Sequence, residues 1–194
     1  DAKFCPYCGA RQGKIEFNEL KNENIDILIN NAGFGVHGNF AETDLDKEIN
    51  MLDTNVMAVH ILMKLFLQDM VKRNSGKILN VSSMAAFAPG PLMAGYYSSK
   101  AYVYRLSECV KTELKMAKSN VKISVLCPGP VRTNFNKVAN VNFAAPSLSS
   151  DVVAKYAIKK MLKGKFTIVP GNLMKITRFF EKILPHNWVS YVSY

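Results

Sequence analysis

Tyr96 and Lys100 stand four positions apart in the stretch YYSSK. On a helix that spacing places both side chains on one face, within reach of each other or of a shared ligand. An ammonium beside a phenol favours the phenolate, which predicts a Tyr96 pKa below the ordinary value of about 10. A phenol so tuned can give a proton to a carbonyl oxygen as hydride arrives, or take one from an alcohol in reverse. Ser83, in NVSS at 80–83, has a hydroxyl that could donate to the same oxygen. Two further polar clusters, NNAG at 30–33 and PGPVRT at 128–133, complete the set of candidate chemistry.

A different chemistry is suggested by FCPYCGARQ at 4–12, where Cys5 and Cys8 have the spacing of half a zinc site. Structural zinc takes four ligands, so a second pair is needed. Cys109 and Cys127 stand alone, and His37 lies just after NNAG, so the chain shows no second half-site. A redox reading of Cys-x-x-Cys also lacks a preceding strand. No metal ligand is assigned, and residues 1–14 are expected to be an orphan zinc-ribbon-like segment, disordered or loosely attached. Four cysteines in a chain of this size make no disulfide framework, and Cys109 and Cys127 are expected as small core residues.

The elements that must position these groups follow from the apolar pattern. IDILINN (25–31) is an apolar run ended by a turn signal, as expected of a strand buried on both faces. Residues 45–72 have apolar positions at helical spacing and stop at Asn74-Ser75-Gly76. KILNVSS (77–83) is a second strand, 96–118 a second helix, and VKISVLCP (121–128) a third strand. Ser149-Ser150-Asp151 caps a helix that runs to Lys163 with Gly164 as its stop, and FTIVP (166–170) is a fourth strand. The alternation predicts four neighbouring parallel strands with right-handed crossovers. The four polar clusters then gather at or just after strand ends, where such sheets bind ligands.

At 194 residues and roughly half apolar, the chain suits a single core. The longest uncharged run, Ile78 to Ser99, contains Pro89, Gly90 and Pro91 and fails as a membrane span. With no secretory leader pattern at the start, the expectation is a cytoplasmic protein. The net charge of +10 is concentrated near the end, where Lys155, Lys159, Lys160, Lys163, Lys165, Lys175, Arg178 and Lys182 face only Asp151 and Glu181. The aromatic-basic interleaving of a nucleic-acid module is absent, so no nucleic-acid partner is expected. An anionic membrane surface, an acidic ligand and a plain solvated face stay open.

Taken together, NNAG, Asn55 in TNVMAV, NVSS, YYSSK and PGPVRT resemble, in order and spacing, the short-chain dehydrogenase/reductase family over about residues 16–184. The resemblance implies an NAD(P)-binding oxidoreductase with an α/β fold, a Rossmann-like parallel sheet with flanking helices. It implies a catalytic set of Asn55, Ser83, Tyr96 and Lys100. Ser83 rather than Ser82 has the family's distance from the tyrosine, and Tyr97 has no lysine four residues on. Tyr96 would be the acid/base, Ser83 would polarise the carbonyl, Lys100 would bind the nicotinamide ribose, and Asn55 would hold a water that links Lys100 to solvent. Asn31, Ala32 and Gly33 would pack beside the cofactor, NAD or NADP, and Pro128, Gly129 and Thr133 would hold the nicotinamide carboxamide. Homo-oligomers, through the helices at 45–72 and 96–118, are implied in the same way.

One family feature is missing from these residues. The glycine-rich turn T-G-x-x-x-G-x-G, which cradles the pyrophosphate, occurs nowhere in the sequence. GFGVHG at 33–38 continues the NNAG strand end and is read as a substrate-side or cofactor-side loop. The chain thus corresponds to the last four strands of the family's fold, with the first three strands absent, and its domains divide as 1–14, a truncated catalytic domain at 15–170 and an amphipathic basic segment at 171–194. Impaired cofactor binding, an inactive or nearly inactive chain and an open edge at strand 25–30 are the expectations. The alternative is a non-enzymatic zinc-ribbon and α/β binding module. The apolar stretch Met84 to Met93 and the loop 134–146 are expected to line a substrate side suited to an apolar carbonyl or alcohol, or simply to pack the core. In the tail, Leu173, Ile176, Phe180, Ile183 and Leu184 fall at helical spacing with cations between them, which fits packing against a neighbour or peripheral contact with an anionic membrane.

Overall fold

The structure, a computed structural model, describes residues 3–4, 11–12, 24–135, 139, 147–181, 183–184 and 189. Cys5 and Cys8, residues 15–23, most of the 134–146 loop and nearly all of the tail beyond 184 lie outside the described residues. β1 (Lys3–Phe4) and β2 (Arg11–Gln12) form a two-residue antiparallel ladder. The main sheet has four parallel strands, β3 (Ile27–Asn30), β4 (Lys77–Val81), β5 (Lys122–Leu126) and β8 (Thr167–Ile168), in that order across it. β6 (Val131–Arg132) and β7 (Leu148–Ser149) make a small parallel pair beside it. The expected strands and their adjacency are therefore all present.

Alternation along the strands divides the core in two. One face carries Ile78 and Ile123, which pack with Met63 and Met70 of α2 (Ala58–Lys72) and Leu114 of α3 (Ala94–Met116). The other carries Leu79, Leu126 and Ile168 against Val153, Ala157 and Met161 of α4 (Ser150–Leu162). The Ser149 cap is the one the sequence offers, and the Asp44 cap is a further one. Ser149 accepts from Val152 N at α4, and Asp44 accepts from Lys47 N at 3.0 Å to start α1 (Leu45–Leu52). A further helix, α5 (Asn172–Glu181), follows β8.

Three expectations need correction. β3 is not buried on both faces: Ile27 and Ile29 are 43% and 45% exposed, because α4 spans β4, β5 and β8 and no described helix covers that side of the edge strand. The 45–72 segment is helical throughout but not uniformly α-helical; a π-helical turn at Asp53–Met57 separates α1 from α2. Cys109 is exposed rather than in the core, since Val103, Ser107 and Leu114 take the inward stripe of α3 and leave Cys109 on the outer side. Cys127 is buried as expected.

Candidate active site

The π-helical turn carries Asn55, which is completely buried. A widened turn of this kind is frequent at functional sites. Here it brings the Asn55 amide onto the loop that follows β3. Asn55 Oδ1 accepts from Phe34 N at 3.1 Å, and Nδ2 donates to Phe34 O at 2.9 Å and to Ser99 Oγ on α3 at 3.0 Å. Both amide hydrogens are thus used in fixing the loop to α3. Gly33 sits in the angle between two functional candidates: a Cβ there would lie 2.9 Å from Asn55 Oδ1 and 2.9 Å from Lys100 Nζ. Only a residue without a side chain leaves that space open.

Tyr96, Ser99 and Lys100 are all buried on one side of α3. The Lys100 ammonium donates to Val81 O at the end of β4 at 3.2 Å and lies 5.8 Å from the centroid of the Tyr96 ring. Burial pushes its pKa down from 10.5 to about 8. The expected lowering of the Tyr96 pKa does not occur: burial pushes it up to about 12, against a hydrogen bond with Ser83 that pulls down, and with Tyr97 adding to the rise. Desolvation of the phenolate is therefore the largest cause and outweighs the Ser83 hydrogen bond. A phenol held protonated at neutral pH is a proton donor aimed at whatever carbonyl oxygen enters beside it. Ser83 Oγ in turn accepts from Ala85 N at 3.1 Å, where it caps the short 3-10 turn at Met84–Phe87.

One cavity of about 810 Å3 collects most of the candidates. Asn31, Gly33, Ser83, Tyr96, Lys100, Pro128, Gly129 and Thr133 all line it. Asn55 stands behind it, sealed off by the loop it holds, and Ala32 is exposed and absent from the lining. The apolar walls include Phe34, Met84, Met93, Phe135, Val153 and Met174. Ser82, at the strand end noted in the sequence, donates to Lys100 O at 2.8 Å. Two participants were not singled out from the sequence: Ser99 links Asn55 to the Tyr96 carbonyl, and Met174 of α5 reaches over Gly129. Ser99 could have been found from its helical spacing to Tyr96; Met174 carries no such signal.

The sequence model of the short chain dehydrogenase family matches residues 15–144. The chain is 38% identical over 129 residues to a probable oxidoreductase, EphD, of Mycobacterium tuberculosis, covering 66% of this chain and 21% of that protein. It is 33% identical over 163 residues to the ketoacyl reductase HetN of a Nostoc species, covering 82% of this chain and 56% of that one. Among solved structures, a short chain dehydrogenase/reductase from Burkholderia phymatum in complex with NAD superposes with a TM-score of 0.71 at 26% identity, covering 81% of this chain and 66% of the other. The chain thus spans only part of the length of the relatives it matches. With the family's model running across more than half of its residues, and with the parallel α/β sheet in place beneath them, the chain belongs to the short chain dehydrogenase family.

Proposed function

We propose that the chain carries the reaction centre of an NAD(P)-dependent oxidoreductase that interconverts a carbonyl and an alcohol on a small apolar substrate. The observation that carries this reading is the single cavity shared by Ser83, Tyr96, Lys100 and the candidate cofactor residues from three separate strand ends. The fit to a nicotinamide is supported by the bare edge at Gly33, where a side chain would fill the space beside Lys100, and by a cavity volume in the range that small ligands use. A bound nicotinamide would supply the hydride. Lys100, still mostly cationic near neutral pH, and the backbone at 31–33 would hold its ribose side, and Pro128, Gly129 and Thr133 its carboxamide side. Tyr96 would pass its phenolic proton to the carbonyl oxygen while Ser83 donates a hydrogen bond to that oxygen. Asn55 would keep the 33–34 backbone in register, with any role toward solvent water left to its Oδ1, the one group with spare acceptor capacity.

For the 194 residues by themselves we infer weak dinucleotide binding, because no glycine-rich turn for the pyrophosphate occurs among them. The walls of Met, Phe and Val favour an apolar substrate over a sugar or an acid. Calorimetric titration tests both parts. NADH or NADPH and the reduced nicotinamide mononucleotide, which lacks the adenosine half, should bind within a few-fold of one another, and ketone turnover at saturating cofactor should vanish in Tyr96→Phe. Dinucleotide binding about a hundredfold tighter than the mononucleotide would overturn the weak-binding reading. Turnover that survives Tyr96→Phe would overturn the assignment of the centre.

A further inference from the structure

We propose that α5 and the cationic groove beside it form a docking face for an anionic phospholipid bilayer. The inner side of α5 is already satisfied by its own domain. Met174 packs over Gly129, and the Arg178 guanidinium lies 4.4 Å from the Phe87 ring centroid and donates to Tyr104 Oη at 3.2 Å, which pairs with Thr167 Oγ1 at 3.0 Å. The outer side is apolar and bare. Leu173, Ile176, Phe179 and Phe180 are 52%, 55%, 60% and 53% exposed, and at 3.6 residues per turn they occupy an arc of about 120°. Ile183 and Leu184 extend the same exposed apolar surface past the helix end.

The groove between α4, β8 and α5 decides what this face meets. It has a volume of about 480 Å3, and its walls include Lys160, Lys165, Lys175 and Arg178 with Tyr156, and no carboxylate among the described residues. The Lys160 and Lys175 ammonium groups lie 5.4 and 5.8 Å from the Tyr156 ring centroid, and among the described residues Lys175 has only the neutral Asn172 Oδ1 as a hydrogen-bond partner, at 3.1 Å. Arg178 Nε is buried without a hydrogen-bond partner among the described residues, and the Arg178 charge acts on the Glu181 carboxylate. Phe179 belongs both to the groove wall and to the exposed arc, so the cations open directly beside the apolar side chains. A phospholipid surface presents that same pairing in reverse, phosphate next to acyl chain. A second copy of the chain is a poorer occupant, because a two-fold contact through this face would bring two sets of four cations together. No described helix is long and apolar enough to cross a membrane, so the helix would lie in the interface plane.

The docking reading does not depend on the catalytic one and is tested separately. The full chain is sedimented with vesicles of phosphatidylcholine alone and with vesicles containing about 30% phosphatidylglycerol, with a vesicle-free control. Binding should be at least about tenfold greater on the anionic vesicles and should weaken with added salt. The double substitution Phe179→Ser/Phe180→Ser should lower it about tenfold, and Lys160→Glu/Lys165→Glu should lower it to the level of neutral vesicles, both with unchanged circular dichroism. The vesicle comparison uses the unmodified chain, so it stands even where a variant misfolds. Equal binding to both vesicle types, or none, overturns the proposal. So does a dimer in sedimentation velocity that Phe179→Ser/Phe180→Ser splits, or saturable binding of free glycerol phosphate without vesicle binding.

Discussion

Replacing Lys100 with methionine should make the protein more stable while abolishing its proposed chemistry. Lys100 is almost wholly buried, and its pKa falls from 10.5 to about 8 because burial disfavours the ammonium. At 1.36 kcal/mol per pKa unit that drop corresponds to a penalty of roughly 3 kcal/mol for carrying the charge in the folded state. The hydrogen bond to Val81 O at 3.2 Å opposes the penalty, and losing it with one carbonyl left short of a donor costs about 1 to 1.5 kcal/mol. The balance is a gain of about 1 to 2 kcal/mol for Lys100→Met at pH 7. The pH dependence carries the sign. Between about 8 and 10.5 the unfolded chain binds the extra proton, so wild-type stability should rise with pH across that window and the variant should show no such rise. Urea unfolding followed by circular dichroism at several pH values measures both. A variant that is less stable at pH 7, with a flat wild-type profile from pH 8 to 10, would show that the bond to Val81 outweighs desolvation.

Three further outcomes follow from single contacts. Asn55→Ala removes three hydrogen bonds, to Phe34 N, Phe34 O and Ser99 Oγ, and should destabilise by about 3 kcal/mol in urea unfolding. Gly164 closes α4 at a φ of +68° with nothing within 4 Å of a Cβ, so Gly164→Ala should cost only the backbone strain, about 1 kcal/mol, read as a shift of a few degrees in thermal midpoint. Tyr96 has a folded pKa near 12 against 10 unfolded, so its contribution is complete below pH 10 and is lost as pH rises toward 12; Tyr96→Phe should remove that part of the alkaline loss of stability.

The sheet was legible because strands that are covered on both faces read as apolar runs, and KILNVSS and VKISVLCP are of that kind. The same rule misread IDILINN. An edge strand has the same apolar run, and nothing in Ile27 or Ile29 says which neighbour is present. The positions of Ser83, Tyr96 and Lys100 around one cavity were legible from strand ends and helical spacing, whereas the Tyr96 pKa was not. Spacing says that a lysine is near; burial depth, which decides the sign, depends on how Met93, Phe135 and the 33–36 loop close over the ring. The π turn at 53–57 was hidden for a related reason. It accompanies the bonding of Asn55 to Phe34, a residue 21 positions earlier, and apolar periodicity within the helix has no record of it.

The helix α3 explains why reactive and structural roles cannot be separated here. Tyr96, Ser99, Lys100, Val103 and Ser107 fall at positions i, i+3, i+4, i+7 and i+11 and are all buried, so they form a single inward stripe. Along that stripe Ser99 meets the Asn55 amide, the Lys100 ammonium meets Val81 O, and Ser107 Oγ accepts from Asn80, whose Oδ1 accepts from Asn30 at 2.8 Å. The bonds to Val81 and Asn80 tie α3 to β4, the Asn30–Asn80 bond carries the tie across to β3, and the Asn55 bond secures the loop beyond it. Each element ends at the cavity. A shift of one residue would rotate the stripe by about 100° and break every one of these bonds together, which is why Tyr96 and Lys100 can be held to one geometry without any direct bond between them. The register of α3 is set by serines and asparagines that do not themselves line the cavity, and the placement of the proton donor is a consequence of it.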